Sequence, residues 1–419
     1  MVSEHASPLA ALGGADAGGQ NVHVAALAAE LARRGHDITV FTRRDEAGLD
    51  AAVPFAPGVT VEHVPAGPPR QVPKDELAVH MPQFGLWLRE RWSAAPPDVV
   101  HAHFWMSGLA AVRAAGGAVP VVQTFHALGR VKRRHQARAD TSPPGRIAAE
   151  REVGRRAAAI IATCTDEVRE LAGYGVAAER TYVVPCGVDC DRFRPDGPAD
   201  AGGLWPGAPA RPRRQPSGAG DSRLRVLTLG RQVPRKGSDT IIAALARLPQ
   251  ADLVVAGGPP ARQLDADAEI ARLRCAAAAA GVFDRVRFAG QVPHAQVPAL
   301  IRSADVVVCD PWYEPFGMVT LEAMACGVTV VASAVGGHLD TVSDGTTGLL
   351  VPPRDPAALA ARLRDLLAWP DWRRSLAAAA ARQARARYRW EQIAAETEAV
   401  YGWVRAAVSA GREPDGVRS

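Results

Sequence analysis

Twelve short apolar runs rich in β-branched residues punctuate the chain, and most are followed by an alanine-rich or polar stretch of helical character. They lie at 37–42, 59–64, 98–103, 120–126, 158–164 and 181–185, then at 224–230, 252–257, 285–290, 305–310, 329–333 and 348–351. Their apolarity is continuous rather than alternating, which fits parallel strands covered on both faces. Strand–helix–strand order then implies a doubly wound α/β sheet, and the order occurs twice. Between the halves, residues 196–222 are dense in glycine, proline and polar residues and read as a linker. The expected organisation is a Rossmann-like domain over 1–195, the linker, a second Rossmann-like domain over 223–387, and an amphipathic helix over 388–410 that packs back on the first. Ligands of such sheets sit at the C-terminal strand ends, so the two halves are expected to face each other across a shared cleft. Only Met1–Glu4 precede the first loop, so the first strand is either a stub or begins upstream of Met1.

Composition narrows the partners. With 49 basic and 44 acidic residues, the net charge of +5 over 419 residues is too dilute to argue for nucleic acid. No run reaches the roughly 18 apolar residues of a membrane helix, and the first residues lack a signal peptide's pattern. The six cysteines form no C-x-x-C pair and read as reduced, buried thiols, which suits a cytoplasmic protein. Asp189-Cys-Asp191 and Asp265-Ala-Asp267 spell D-x-D, but one sits at a domain edge and the other opens a helix, where aspartate is a normal cap. His101 and His103 share one face of a strand with no third ligand in reach by sequence, so packing is the reading there, and no metal site is expected.

Three segments carry chemistry. Gly13-Gly-Ala-Asp-Ala-Gly-Gly-Gln-Asn21 leads into a helix, where exposed N–H groups suit an anion, although a capped flexible loop has the same composition. Gly230-Arg-Gln-Val-Pro-Arg-Lys-Gly237 follows a strand and precedes a helix. Two cations beside helix N–H groups suit a diphosphate, while a solvated basic loop is the plain alternative. In Glu314-Pro-Phe-Gly-Met-Val-Thr-Leu-Glu322, Gly317 should open a helix, with one carboxylate ahead of it and the other within it.

Together with Ser3-Glu-His-Ala-Ser-Pro-Leu9 and Asp98-Val-Val-His-Ala-His-Phe-Trp105, these motifs resemble family 4 retaining glycosyltransferases of GT-B fold. That group includes sucrose-phosphate synthases and the inositol-phosphate glycosyltransferase of the mycothiol pathway. The resemblance spans nearly the whole chain. It implies transfer of a sugar from a UDP- or GDP-linked donor to a small-molecule acceptor, without metal or cofactor, in biosynthesis of small molecules or natural products. Arg231 and Lys236 would hold the donor diphosphate, and Glu322 would accept hydrogen bonds from the ribose. Glu314, with Phe316, Gly317, Met318 and Val319, would grip the sugar and distal phosphate. Gly18 and Gly19 would let the first loop close on that phosphate, His126 would lie beside the sugar, and Gln291 and Val292 would meet the base. His126, Glu314, Arg231 and Lys236 are the catalytic set so implied. Asn21, Lys74 and Arg146 match acceptor-side positions, although Ala127 stands where the inositol-phosphate enzyme has threonine.

The family mechanism implied is attack by the acceptor on the face the diphosphate leaves, the leaving phosphate taking the proton. A homodimer is compatible with the fold. An epimerase or phosphorylase, or a sugar-nucleotide-binding protein without turnover, are the alternatives. A pyridoxal-dependent phosphorylase needs a cofactor lysine, and in the second domain no lysine except Lys236 could serve. The other two lysines, Lys74 and Lys132, are each expected where an anion could sit.

Overall fold

In a computed structural model, which describes residues 1–10, 18–199, 203–205 and 223–410, every one of the twelve apolar runs contains a strand. The first unit comprises Met1–Cys186 and Trp390–Ser419, and the second Gly187–Arg389. Most of the expected linker, and the loop residues 11–17, lie outside the described residues.

The first unit contains β1 (Ile38–Arg43), β2 (Ala52–Ala56), β3 (Val59–Val64), β4 (Val100–His103), β5 (Val121–Thr124), β6 (Ala159–Ala162) and β7 (Thr181–Val183). β1 and β3 pair in parallel, as do β4 through β7 in order. Val2 joins the two sets, bridging Phe41 of β1 and Ala102 of β4. The short opening segment therefore acts as a central strand one residue wide, fixed by Val2 donating to His101 and Ser3 to Phe41, both at 2.9 Å. β2 was not anticipated. It is a half-exposed antiparallel edge carrying Pro54, a residue that an edge strand tolerates and that hides a strand from a hydropathy reading.

The helix Trp390–Ser409 belongs to this unit. Trp390, Ile393, Ala394, Val400 and Val404 pack with Leu27 and Leu31 of the helix Gly19–Arg33. Glu398 adds a partly exposed pair of contacts, accepting from Arg34 Nε at 2.8 Å and lying 2.8 Å from His36 Nε2.

The second unit holds one fully parallel six-stranded sheet. Its strands are β8 (Leu224–Leu229), β9 (Ala251–Ala256), β10 (Val286–Gly290), β11 (Val306–Cys309), β12 (Thr329–Ser333) and β13 (Leu349–Val351). Their order is β10-β9-β8-β11-β12-β13. Winding reverses between β8 and β11, and such a switch point opens a crevice at the C-terminal strand ends. The division of the chain falls after Cys186 rather than after residue 195. Residues 187–198 are held in the second unit by Val188 donating to Tyr388 at 2.7 Å and by Arg302 donating to the carbonyls of Arg194 and Pro198.

Ile393 is fully buried on the C-terminal helix. Ile393→Ala is expected to lower stability by about 2–5 kcal/mol, read as a shift in the denaturation midpoint with unchanged slope.

Candidate functional site

At the switch point of the second unit, three loops approach one another closely enough to exclude side chains. Gly237 has φ 72°, and a Cβ there would lie 1.9 Å from the Asp310 carbonyl oxygen. A Cβ at Gly336 would lie 2.0 Å from the Glu314 carbonyl oxygen, so this backbone contact also requires glycine. Trp312 donates its N–H to the Arg235 carbonyl at 2.8 Å, and Gly337 donates to that of Glu314 at 3.0 Å. Gln232 is buried and donates to the carbonyls of Gly230 and Ala256 while accepting from Ser238 Oγ at 2.8 Å.

This scaffold delivers charge to one place. Lys236, after β8, forms an ion pair with Glu314, after β11. Burial alone would raise the Glu314 carboxyl, but Lys236, Arg235 and His338 together hold it down at about 2. Arg235 also lies over the Tyr313 ring at 5.2 Å. Gly317 opens the helix Met318–Ala325 with φ 93°, presenting the free N–H groups of its first turn. His338 is buried against Gly317, its Nδ1 3.0 Å from the Ser333 carbonyl and its Nε2 3.1 Å from Thr320 Oγ1. Glu322, one turn into the helix, is pushed up to about 8 by burial, which Arg192 only partly opposes.

The first unit has a second concentration of polar groups, also at C-terminal strand ends. His103 ends β4, and His126 follows β5 with φ 59°, a left-handed conformation uncommon for a side chain-bearing residue. His103 Nδ1 and His126 Nε2 are 3.0 Å apart. His23 packs edge-on to both rings, with centroids at 5.6 and 5.0 Å, and to Trp390 at 5.4 Å. His101 contacts Tyr401 Oη at 2.7 Å and Thr124 Oγ1 at 2.9 Å. Burial, reinforced for His101, His103 and His126 by the neighbouring rings, keeps all four imidazoles neutral well below their usual range, His23 titrating at about 4.

The sequence matches Glycosyltransferase Family 4 over residues 17–192 and Glycosyl transferases group 1 over residues 211–384. It is 38% identical over 414 residues to a D-inositol 3-phosphate glycosyltransferase of Geodermatophilus obscurus, covering 96% of this chain and 88% of that one. The corresponding protein of Streptomyces coelicolor is 36% identical, at 96% and 90% coverage. The chain belongs to the family 4 glycosyltransferases. Its fold is GT-B: a sucrose-phosphate synthase from Thermosynechococcus elongatus superposes with a TM-score of 0.84 at 31% identity, covering 97% of this chain and 98% of that one.

Of the residues singled out from the sequence, Lys236, Glu314, Phe316, Gly317, Met318, Val319 and Glu322 occupy the loop and helix at this switch point. Arg231 is exposed at the start of the β8 loop, and Gln291 and Val292 follow β10, two strands away. Gly18 caps the helix Gly19–Arg33, its N–H donating to Asn21 Oδ1 at 3.0 Å. The Asn21 amide nitrogen donates to the Ser7 carbonyl at 2.9 Å, so this side chain organises its own loop. Arg146 is buried and engaged by Glu150, Ser142 and the Ala127 carbonyl. Lys74 and Arg146 both lie over the Phe104 ring, at 5.5 and 5.1 Å. Lys132 is neutralised by Asp140 at 3.1 Å and Asp75 at 3.7 Å, so the anion expected beside it is supplied by the protein itself.

Arg235, His338, His23 and Gln20, whose amide donates to the His103 carbonyl at 3.3 Å, were not anticipated. Arg235 is flanked by the two basic residues that carried the motif, and its orientation was the missing information. The six cysteines are free thiols as expected, but Cys275 is exposed and Cys309 only partly covered.

The glycine at 237 should be irreplaceable. In Gly237→Ala the new methyl group meets the Asp310 carbonyl, and thermal unfolding is expected at least several degrees lower than in the parent.

Proposed function

We propose that this glycosyltransferase is a retaining, metal-independent enzyme that takes its sugar from a UDP- or GDP-linked donor. The observation that carries the reading is the Lys236–Glu314 pair at the β8/β11 switch point, beside the helix opened by Gly317. A nucleoside diphosphate needs a cation and converging N–H groups, and a sugar needs hydrogen-bond acceptors; both kinds of group meet here. Without donor, Glu314 serves as counter-ion to Lys236. When the diphosphate takes over that ammonium, the Glu314 carboxylate turns to the hydroxyls of the sugar, with the backbone of Phe316, Gly317 and Met318 on the distal phosphate. Arg231 supplies further positive charge at the mouth of the loop. Glu322 accepts from the ribose hydroxyls, and the backbone at Gln291 and Val292 meets the base.

Departure of the diphosphate develops negative charge on the leaving oxygen, which Lys236 and Arg231 stabilise. The acceptor hydroxyl attacks the anomeric carbon on that same face and gives its proton to the leaving phosphate, so the anomeric configuration is retained. His126, held neutral, hydrogen-bonds the transferred sugar. On the acceptor side, Lys74 beside Phe104 suits an anionic or polyol acceptor. The relatives are named for D-inositol 3-phosphate, which makes that compound and its unphosphorylated counterpart the first acceptors to compare. A phosphorylase using pyridoxal phosphate is disfavoured, because the only lysine of the second unit is engaged by Glu314.

Incubation with UDP-, GDP- and ADP-sugars, with and without these acceptors, tests the reading through release of nucleoside diphosphate and through the anomeric coupling constant of the product. No release from any donor, or an inverted product, would overturn it. Lys236→Ala is expected to lower kcat/KM by about 10² or more, measured on whichever donor the parent enzyme uses.

Glu322 makes donor affinity depend on pH. Its carboxyl is protonated below about 8, whereas the ribose hydroxyls donate to the ionised form. Affinity should therefore rise as pH increases toward 8, by up to about tenfold per pH unit, and level off above it. Calorimetric titration from pH 6 to 9 reads this slope, and Glu322→Gln should abolish it.

A further inference from the structure

The transfer reading employs one of the histidines at the end of β4 and β5, yet the fold gathers several. His23, His103 and His126 each present a ring nitrogen, and the three nitrogens lie within 4.8 Å of one another. The 3.0 Å between His103 Nδ1 and His126 Nε2 is near the chord of about 3.3 Å that two imidazole nitrogens make on a tetrahedral zinc with bonds of about 2.0–2.1 Å. A hydrogen bond between those two rings leaves the third without one: His23 Nδ1 is buried with no hydrogen-bond partner. His101 is not part of the set, because Tyr401 and Thr124 engage its two nitrogens. His126 is partly exposed, whereas His23 and His103 are buried, so an ion would reach the cluster from the His126 side.

We propose that His23, His103 and His126 form a binding site for one first-row transition-metal dication, with zinc the fitting case, at the C-terminal edge of the first unit's sheet. An all-imidazole set suits zinc, cobalt, nickel or copper and has little affinity for magnesium or calcium, which require oxygen ligands. Neutral rings also ligate without first losing a proton. Occupancy withdraws His126 from the sugar, so the metal is an inhibitor and not a cofactor. That last consequence rests on the transferase reading; the binding does not.

The test uses the full chain, stripped with chelator and titrated with cobalt(II). One equivalent is expected, with the visible absorption of a tetrahedral nitrogen-ligated ion, displaced by zinc and untouched by excess magnesium. His23→Phe keeps an aromatic ring against Trp390 but has no lone pair, and its stoichiometry should fall from one to zero. Absence of the cobalt band in the parent protein, or an unaltered band in His23→Phe, would overturn the site. Should that variant fail to fold, X-ray absorption on the zinc-loaded parent decides: three histidine scatterers support the site and an all-oxygen shell rejects it. Zinc binding with no loss of donor turnover would refute the inhibitory role and the placement of His126 at the sugar, while the metal site would stand.

Discussion

A carboxylate and an ammonium held together on the loops after two adjacent parallel strands are the interaction around which the second unit is arranged. Either charge alone would be costly there, because both are largely withdrawn from water and a buried charge without a partner destabilises strongly. The loops that carry Lys236 and Glu314 are held by close backbone approaches at Gly237 and Gly336 that a side chain would block. The backbone contacts that those glycines permit draw the loops after β8, β11 and β12 into one layer. His338 completes the arrangement from behind, filling the space against Gly317 and adding to the field that keeps Glu314 ionised. In this state the two charges compensate each other, so an anionic ligand would have to displace the Glu314 carboxylate from Lys236.

The same topological device operates in the first unit with different chemistry. Val2 stands where a complete strand would normally separate β1 from β4, and winding reverses across it. Its loop contributes Ser3, Glu4 and His5, while β4 and β5 contribute His103 and His126. Charge here is carried by Glu4 and, over the Phe104 ring, by Lys74 and Arg146. Neutral imidazoles gather at the ends of β4 and β5, whereas the second unit's edge carries the Lys236–Glu314 ion pair. Two sheets of one architecture are differentiated by what stands at their strand ends, and this is where specificity in such folds resides.

How far the primary structure exposed this depends on the kind of information each feature carries. Continuous apolar runs located twelve of the thirteen strands among the described residues, since burial on both faces leaves a strong local trace. β2 escaped because an edge strand with proline and half-exposed residues leaves none. The end of the first unit was placed about nine residues too late, because composition marks where glycine and proline accumulate, not where Val188 hydrogen-bonds to Tyr388 some 200 positions later. The glycine and glutamate motifs were legible because their spacing is enforced by backbone geometry. The partners of individual side chains were not: Asn21 and Arg146 have the residue types of ligand-binding groups, yet both are engaged by neighbouring backbone and side-chain atoms.

The histidines show the limit most clearly. His101 and His103 are two positions apart on a strand, a local fact that predicts a shared face and nothing about a third ring. His23 arrives from a helix eighty residues earlier and His126 from the next strand, with Trp390 of the final helix closing the cluster. A site assembled from four separate elements has no spacing rule, so no pattern in one sequence can announce it. What the structure adds is physical: three rings bring a nitrogen each within 4.8 Å of one another, and His23 Nδ1 is buried without a partner. Unpartnered buried nitrogens also occur elsewhere, at Trp92 and Arg180 for example, so the convergence of three rings is what sets this cluster apart.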